Sequence, residues 1–312
     1  MGLLSFWSGL VGAVRELVSR GMLEVLARQG RLSAELVATL PRVLLVGEGG
    51  AGKSTLLKQL LARAAAAGNV PVWVSLAQLP VDAPLTIAVL LDHLVREAHA
   101  RLGVGEVNRA FFESLVADGR LAIGFDALDE CGSLPQRQRV RGLIEEVARE
   151  WKRCQVIVTS RPEALHDTPL PLVTPAAPKD EQFRGLTPRP FTRDDIAPFL
   201  RVAFDDGDKL AATLLNRTGI EALTATPLTL TLVGLVARTP KGLPATRTPL
   251  FARCLDTVCE TWEAAKGAQP PPDGLDATQR LDVLRRLGWA AQAAGGDELD
   301  ADAARAAIAR SP

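Results

Sequence analysis

The chain has 312 residues, which is long enough to form about two or three domains. Its 36 lysines and arginines balance 36 aspartates and glutamates, so the composition gives no overall attraction to nucleic acid or to an anionic membrane. The four cysteines and three histidines show no metal-binding spacing, which favours a reduced, cytoplasmic compartment. No apolar run approaches the roughly 20 residues that cross a membrane.

Residues 1–40 are predicted to form an N-terminal helical leader. The apolar stretch from Leu3 to Val14 lacks a basic flank and a cleavage site, which argues against a secretory signal peptide. We favour packing of this helix on the domain that follows it. The alternative is an amphipathic helix that contacts a membrane or a partner. Pro41 predicts the end of the leader.

A glycine-rich loop between a strand and a helix is the central motif of the chain. Residues 47–55 (GEGGAGKST) fit the phosphate-loop template G-x-x-x-x-G-K-[ST], with an apolar run before them and helical periodicity after them. Glycines let successive N–H groups face a phosphate. Lys53 would supply charge for the β- and γ-phosphates, and Ser54 a hydroxyl for Mg²⁺. The predicted nucleotide-binding residues of the loop are Gly47, Glu48, Gly49, Gly50, Ala51, Gly52, Lys53, Ser54 and Thr55.

Strands and helices alternate along the first part of the chain. This pattern predicts an α/β fold, a P-loop three-layer sandwich with a mainly parallel five-stranded sheet. Ligands of such sheets bind beyond the carboxyl ends of the strands. The predicted strands are 42–46, 70–76, 121–125, 155–159 and 183–186, with helices over 55–63, 84–102, 107–117 and 136–152. The arginines of the last helix interleave with glutamates, so a solvated face is favoured over a nucleic-acid surface.

Acidic residues follow the third predicted strand. Asp126 comes directly after the strand, the position of a Walker B carboxylate that holds Mg²⁺ together with Ser54, although a strand-end turn residue is the alternative. Asp129 and Glu130 lie just beyond it, and a carboxylate near the γ-phosphate can orient and deprotonate a water molecule. One of these two would be catalytic and the other a supporting group, and the sequence does not decide which.

Arg161 stands at the end of the fourth predicted strand, at the same edge of the sheet. A guanidinium there could sense the γ-phosphate or stabilise charge during transfer. A surface salt bridge is the alternative. From Thr192 the pattern becomes wholly helical, and the proline-rich residues 269–274 predict a boundary before a last segment.

Three motifs occur in this order along the chain: GEGGAGKST at 47–55, FDALDE at 125–130 and VTSRP at 158–162. Together they resemble the NACHT family of STAND-class signalling NTPases. The residues 186–200 are similar to the start of the family's helical domain, and Pro227 matches its adenine-contacting proline. Pro227 would equally suit the first position of a helix. The resemblance implies a NACHT nucleotide-binding domain at 41–190, a helical lid domain at 191–267 and a partial winged-helix segment at 275–312.

The resemblance also implies a function. The protein would bind ATP or ADP with Mg²⁺, hydrolyse ATP slowly and switch between a closed and an open state. Its partners would be further copies of itself and a trigger ligand or effector, in signalling or antiphage defence. By position, the resemblance assigns Lys53 and Ser54 to phosphate and metal, Asp126 to Mg²⁺, Asp129 or Glu130 to hydrolysis, Arg161 to sensing and Pro227 to adenine.

The chain departs from the family pattern in three ways. Its histidines (His93, His99 and His166) do not match the winged-helix histidine of the family, and neither sensor repeats nor an effector domain is recognisable. It would then be a fragment of a longer protein or sense by other means. Two other functions stay open, a non-hydrolysing scaffold that docks through its N-terminal helix and, less favoured because of the apolar second half, a small-molecule kinase.

Overall fold

The computed structural model describes residues 39–80, 84–102, 107–171, 182–217, 223–240, 242–244, 246, 248–256, 275–295 and 299–309. The predicted leader up to residue 38, including the stretch from Leu3 to Val14, and the predicted boundary at 269–274 lie outside these residues. Over the described ranges no helix has the length and apolar character needed to cross a membrane.

Five strands form one sheet, and every neighbouring pair is parallel. The strands are β1 Arg42–Val46, β2 Val70–Ser75, β3 Leu121–Asp126, β4 Gln155–Ser160 and β5 Arg184–Leu186. Their order in space is β2-β3-β4-β1-β5, so β2 and β5 are the edge strands. The prediction of a five-stranded, mainly parallel sheet is confirmed.

Helices cover both faces of the sheet and make up most of the described residues beyond it. The helices are α1 Lys53–Ala66, α2 Ile87–Leu102, α3 Arg109–Asp118, α4 Leu134–Glu150, α5 Pro162–Asp167, α6 Arg193–Ala203, α7 Gly207–Leu215, α8 Pro227–Ala237, α9 Ala277–Ala293 and α10 Ala301–Ala309. Residues 248–256 are also helical, and short 3₁₀ turns cover Leu76–Gln78 and Leu128–Glu130.

The sheet lies between two apolar cores. Alternate residues of a strand point to opposite faces, and accordingly Leu44 belongs to one core while Val43 and Leu45 belong to the other. The first core includes Leu143 and other residues of α4, and the second includes residues of α1. Burial on both faces is the reason why these parallel strands are almost continuously apolar, and it gives the three layers that the sequence predicts.

Gly124, in the middle of β3, lets α1 approach the sheet closely. A Cβ atom at this position would lie 2.6 Å from Cδ1 of Leu57 and 3.0 Å from Cδ1 of Leu61. Real Cβ atoms do not tolerate the shorter of these distances, so a larger residue would push α1 outward. A glycine in a strand interior normally weakens the strand, and here it sets the position of the helix that follows the phosphate loop.

A buried arginine lies at the edge of the sheet opposite the carboxyl ends of the strands and bonds to backbone carbonyls there. Arg42, the first residue of β1, is 1% exposed. Its guanidinium donates to the carbonyl oxygens of Ala148 at 2.8 Å, Trp151 at 3.0 Å and Cys154 at 2.5 Å. Two of these carbonyls stand at the C-terminal end of α4, where the helix dipole favours a cation. Arg42 therefore joins β1 to the end of α4.

Helices α6, α7 and α8 share a separate apolar core. Its buried residues include Ile196, Phe199, Leu200, Leu214 and Leu230. The backbone of Leu200 in α6 lies very close to Gly207, at the start of α7. A Cβ atom at Gly207 would lie 2.2 Å from the carbonyl oxygen of Leu200. This close crossing lets α6 and α7 fold against each other as a compact pair.

Candidate functional site

The loop of residues 47–52 lies between β1 and α1, at the carboxyl edge of the sheet. Gly50 and Gly52 have φ values of 78° and 90°, in the left-handed region that favours glycine. The N–H of Gly47 donates to the carbonyl of Ser160 on β4 at 3.3 Å. The N–H of Leu56 donates to the carbonyl of Gly52 at 2.9 Å. The loop thus turns directly into the first turn of α1, as a phosphate loop does.

The side chain of Lys53 curls back over the loop. Its ammonium donates to the carbonyl of Gly47 and, at 3.0 Å, to that of Glu48. Burial lowers the pKa of this ammonium, and the nearby charge of Asp129 opposes the shift while Arg161 reinforces it. The positive charge is therefore held within the curve of the loop, next to the acidic residues that follow β3.

Asp126 and Ser54 are in direct contact. The hydroxyl of Ser54 donates to Oδ1 of Asp126 at 2.8 Å. Oδ1 also accepts from the hydroxyl of Thr159 on β4 at 2.7 Å, and Oδ2 accepts from Nε1 of Trp73 on β2 at 3.2 Å. Asp126 is 5% exposed, so these donors compensate a carboxylate that is almost fully removed from water.

Asp129 and Arg161 form an ion pair at the same edge. Nε of Arg161 lies 3.0 Å from Oδ2 of Asp129, and the backbone N–H of Arg161 donates to Oδ1 at 3.1 Å. The Asp129 side chain is 13% exposed and that of Arg161 49%. The salt bridge considered for Arg161 therefore exists, and its partner is one of the two predicted catalytic carboxylates. Glu130, on the same 3₁₀ turn, is exposed.

The backbone turn between Asp126 and Asp129 depends on Ala127. Ala127 has φ 63° and ψ 62°, and it is the one non-glycine residue with positive φ in the described part of the chain. Its N–H donates to the hydroxyl of Thr159 at 2.8 Å. This left-handed residue turns the chain so that the 3₁₀ turn places Asp129 beside β4. Strained residues of this kind concentrate at functional sites.

The helical region touches the phosphate loop directly. Pro227 is the first residue of α8, which Thr226 caps, so the prediction of a helix-start proline agrees with the structure. The next residue, Leu228, donates its N–H to the carbonyl of Gly50 at 3.4 Å. A Cβ atom at Gly50 would lie 2.6 Å from Cβ and Cδ2 of Leu228. The adenine contact of Pro227 stays a prediction.

The oxygen donors at this edge suit Mg²⁺. Magnesium prefers hard oxygen ligands and is usually bound by one or two carboxylates together with water and substrate phosphates. Ser54 and Asp126 supply a hydroxyl and a carboxylate in contact with each other. Neither here nor at any other place in the described ranges do three or more His, Cys, Asp or Glu residues form a group that could hold a metal ion without a nucleotide. The site therefore fits a magnesium ion that arrives with a nucleotide.

Two residues of the site are not singled out by the sequence pattern, Trp73 and Thr159. Thr159 carried one weak signal, since it is a polar residue at the buried end of a strand. Trp73 carried none, because a tryptophan in an apolar strand indicates core packing. Both become visible only when β2 and β4 are placed on either side of β3.

Solved structures that are similar to this chain include the Walker-type ATPase PABY2304 of Pyrococcus abyssi, at 16% identity over 94% of this chain and 87% of that chain, with a TM-score of 0.45. The ORC1 protein of Aeropyrum pernix, solved in complex with DNA, is 16% identical over 89% and 80% of the two chains, with a TM-score of 0.39. The ORC2 protein of the same organism, solved as ADPNP-ADP complexes, is 17% identical over 90% and 68%, with a TM-score of 0.38.

Among curated proteins no match to this chain was found. The NACHT domain matches residues 41–207, which is more than half of the 312 residues. That range includes the phosphate loop, the acidic turn after β3 and Arg161 at the end of β4. The chain therefore belongs to the NACHT family of nucleotide-binding P-loop NTPases.

Proposed function

We propose that this protein is a nucleotide-dependent switch that binds ATP or ADP with Mg²⁺ and hydrolyses ATP slowly. The observation that supports it most directly is the contact between Leu228 of α8 and Gly50 of the phosphate loop. Because the helical region rests on the loop, a ligand in the loop and the position of α8 must influence each other. A nucleotide can shift such an equilibrium only by the difference between its affinities for the two states.

The phosphate groups would be bound by the loop and by Lys53. The loop supplies backbone N–H groups and the N-terminus of α1. Lys53 would leave the neutral carbonyls of Gly47 and Glu48 for phosphate oxygens, because a hydrogen bond between two charged groups is roughly twice as strong. Ser54 and Asp126 would hold the Mg²⁺, which when bound neutralises phosphate charge. Pro227, next to Leu228, would contact the adenine.

The two acidic residues after Asp126 would have different roles. Asp129 accepts from both the backbone and the side chain of Arg161, so it is suited to hold the arginine toward the γ-phosphate. Glu130 is exposed on the same turn and is therefore the better candidate for orienting the attacking water. Arg161 would stabilise the charge that develops on the transferred group.

Oligomerisation and a role in signalling or antiphage defence are part of the same proposal. They rest on membership of the NACHT family and on the resemblance of the motifs. The output of the switch would be assembly of several copies, triggered by a ligand or effector. Opening at the contact between Leu228 and Gly50 would free the surfaces of both regions for a second copy.

A non-hydrolysing nucleotide-binding scaffold is the second candidate. One observation favours it: the charge of Arg161 is already paired with the carboxylate of Asp129, so less of it is left to stabilise a transferred phosphoryl group. The scaffold and the switch differ in turnover, since the scaffold would show none above background.

Nucleotide content and turnover test the proposal. We expect the purified protein to retain ADP, and Lys53→Ala to retain none. Wild-type protein should hydrolyse ATP slowly, and Glu130→Gln should bind Mg-ATP with unchanged affinity but lose turnover. Gln138→Glu, at an exposed position of α4, serves as a matched control because it makes a comparable exchange between amide and carboxylate on the helix that follows the site. Absence of heat in calorimetric titration with both nucleotides would disprove the proposal, and identical turnover near zero in all variants would favour the scaffold.

A further inference from the structure

The carboxylate of Asp126 receives hydrogen bonds from three neighbouring elements. Ser54 of α1 and Thr159 of β4 donate to Oδ1, and Trp73 of β2 donates to Oδ2. Hydroxyl groups can rotate and can also accept hydrogen bonds, whereas an indole has one N–H donor and no acceptor. The bond from Trp73 therefore fixes the second carboxylate oxygen in a single direction.

The register of the sheet explains how an indole on β2 reaches a carboxylate on β3. Trp73 is paired with Gly124, and Ser75 with Asp126. Residues two apart on a strand share a face, so Trp73, Gly124 and Asp126 lie on the same face of the sheet. Because Gly124 has no side chain, β3 places none beside the indole at that register position.

The orientation of the ring is set by its surroundings. Trp73 packs, partly buried, against the core that includes Leu57 and Leu61 of α1. Nζ of Lys58, also on α1, lies 5.2 Å from the ring centroid, which is a cation–π distance. The helix that begins at the phosphate loop therefore holds the indole on the edge strand, and the indole holds Oδ2 of Asp126.

We propose that Trp73 is a positioning residue for the metal-binding carboxylate of Asp126. This inference rests on the proposed function, in which Ser54 and Asp126 hold the Mg²⁺ of a bound nucleotide. The indole holds Oδ2, and Oδ1 therefore stays directed at the hydroxyl of Ser54. Oδ1 and the Ser54 hydroxyl oxygen would then be placed to bind the same ion. Partners that orient metal ligands in this way typically contribute about 10–100-fold to metal affinity.

Trp73→Phe separates this role from packing, because phenylalanine keeps an aromatic ring and removes the N–H. The experiment measures ADP affinity in the absence of Mg²⁺ and then the Mg²⁺ midpoint of the protein saturated with ADP, both by calorimetry. We expect an unchanged ADP affinity and a Mg²⁺ midpoint raised about tenfold. Trp73→His should restore much of the midpoint, because imidazole can present an N–H at the ring position of the indole Nε1.

Trp151→Phe is the matched control. Trp151 is a buried tryptophan of the same protein, next to the end of α4 and far from the carboxyl edge of the strands. Its replacement should leave both affinities unchanged. If wild-type protein binds no ADP, the proposed function itself is wrong. If wild-type protein binds ADP and Mg²⁺ but folded Trp73→Phe has the same Mg²⁺ midpoint, only the positioning role is wrong. If Trp73→Phe does not fold by circular dichroism, Trp73→His decides: a Mg²⁺ midpoint near that of wild type supports the role, and one raised about tenfold overturns it.

Discussion

Leu228 of α8 occupies the space that a side chain at Gly50 would need. Its Cβ and Cδ2 atoms lie 2.6 Å from the position of a Cβ atom at Gly50, and its N–H donates to the Gly50 carbonyl at 3.4 Å. Glycine at this position therefore serves two purposes, since it permits both the left-handed φ of 78° and the contact with the helical region.

Gly50→Ala should destabilise the protein more than backbone strain alone explains. A left-handed alanine costs about 1–2 kcal/mol, and forcing a methyl group against Leu228 adds roughly 1–3 kcal/mol. The free energy of unfolding, measured with urea, should fall by the sum of these two contributions. The affinity for ADP should also fall, because Gly50 belongs to the phosphate loop.

Gly68→Ala is the control for Gly50→Ala. Gly68 has a φ of 89°, but nothing lies within 4 Å of an added Cβ atom. The free energy of unfolding of Gly68→Ala should fall only by the cost of the left-handed backbone. In the Gly50→Ala protein, a second substitution Leu228→Ala should recover part of the loss. Equal losses for Gly50→Ala and Gly68→Ala would show that the contact with Leu228 contributes nothing.

Lys53→Met should make the nucleotide-free protein more stable while it removes nucleotide binding. Burial lowers the pKa of Lys53 below the ordinary lysine value of 10.5, so the charged form is disfavoured in the folded state. Between the lowered pKa and 10.5 the unfolded chain binds more protons, and wild-type stability therefore rises with pH in that window. The advantage of Lys53→Met should be largest near pH 7 and shrink as the pH approaches 10.5.

The measurement is urea unfolding of wild-type and Lys53→Met protein between pH 7 and 10.5. Burial also raises the pKa of Cys131 to about 12 and of Cys254 to about 11, which makes both proteins lose stability at alkaline pH. This loss cancels in the difference between the two proteins. A difference that does not change with pH would contradict the expectation.

Local patterns were enough to predict the sheet and the loop, but not the contacts between distant residues. The strands, the phosphate loop and Asp126 are each recognisable from a few neighbouring residues. The roles of Trp73 and Thr159 depend on the order β2-β3-β4, which no local pattern contains. The contact of Gly50 with Leu228 likewise joins residues that are distant in sequence and depends on how α8 packs.

Arg42→Met should cost stability without changing nucleotide affinity. Its loss removes the guanidinium donor of the buried carbonyls of Ala148 and Cys154, whereas the Trp151 carbonyl keeps the N–H of Cys154 at 3.0 Å, and each buried acceptor left unpaired costs about 1–3 kcal/mol. A loss of roughly 2 kcal/mol or more in the free energy of unfolding is therefore expected. Arg153→Met, which removes an exposed arginine that donates to Ala117, should cost less than about 1 kcal/mol. A change in ADP affinity would show that the two edges of the sheet are coupled.

Ala127→Gly should preserve or raise stability, in contrast to an ordinary alanine-to-glycine change. Ala127 has φ 63°, and glycine removes a left-handed strain of about 1–2 kcal/mol, offset in part by the greater freedom of glycine in the unfolded chain. Ala62→Gly, in the exposed face of α1, should instead cost about 1 kcal/mol. Both are measured by urea unfolding with the slope m compared between variants.

Ala127→Val tests the same turn in the opposite direction. A β-branched residue at positive φ is a genuine outlier, so the chain should leave the left-handed conformation and move Asp129 away from Arg161. We expect lower stability than in wild-type protein and weaker coupling between Asp129→Asn and Arg161→Gln in a double-mutant cycle of ATP turnover. A fully stable Ala127→Val protein with the same coupling would show that the left-handed turn does not hold the ion pair of Asp129 and Arg161 in place.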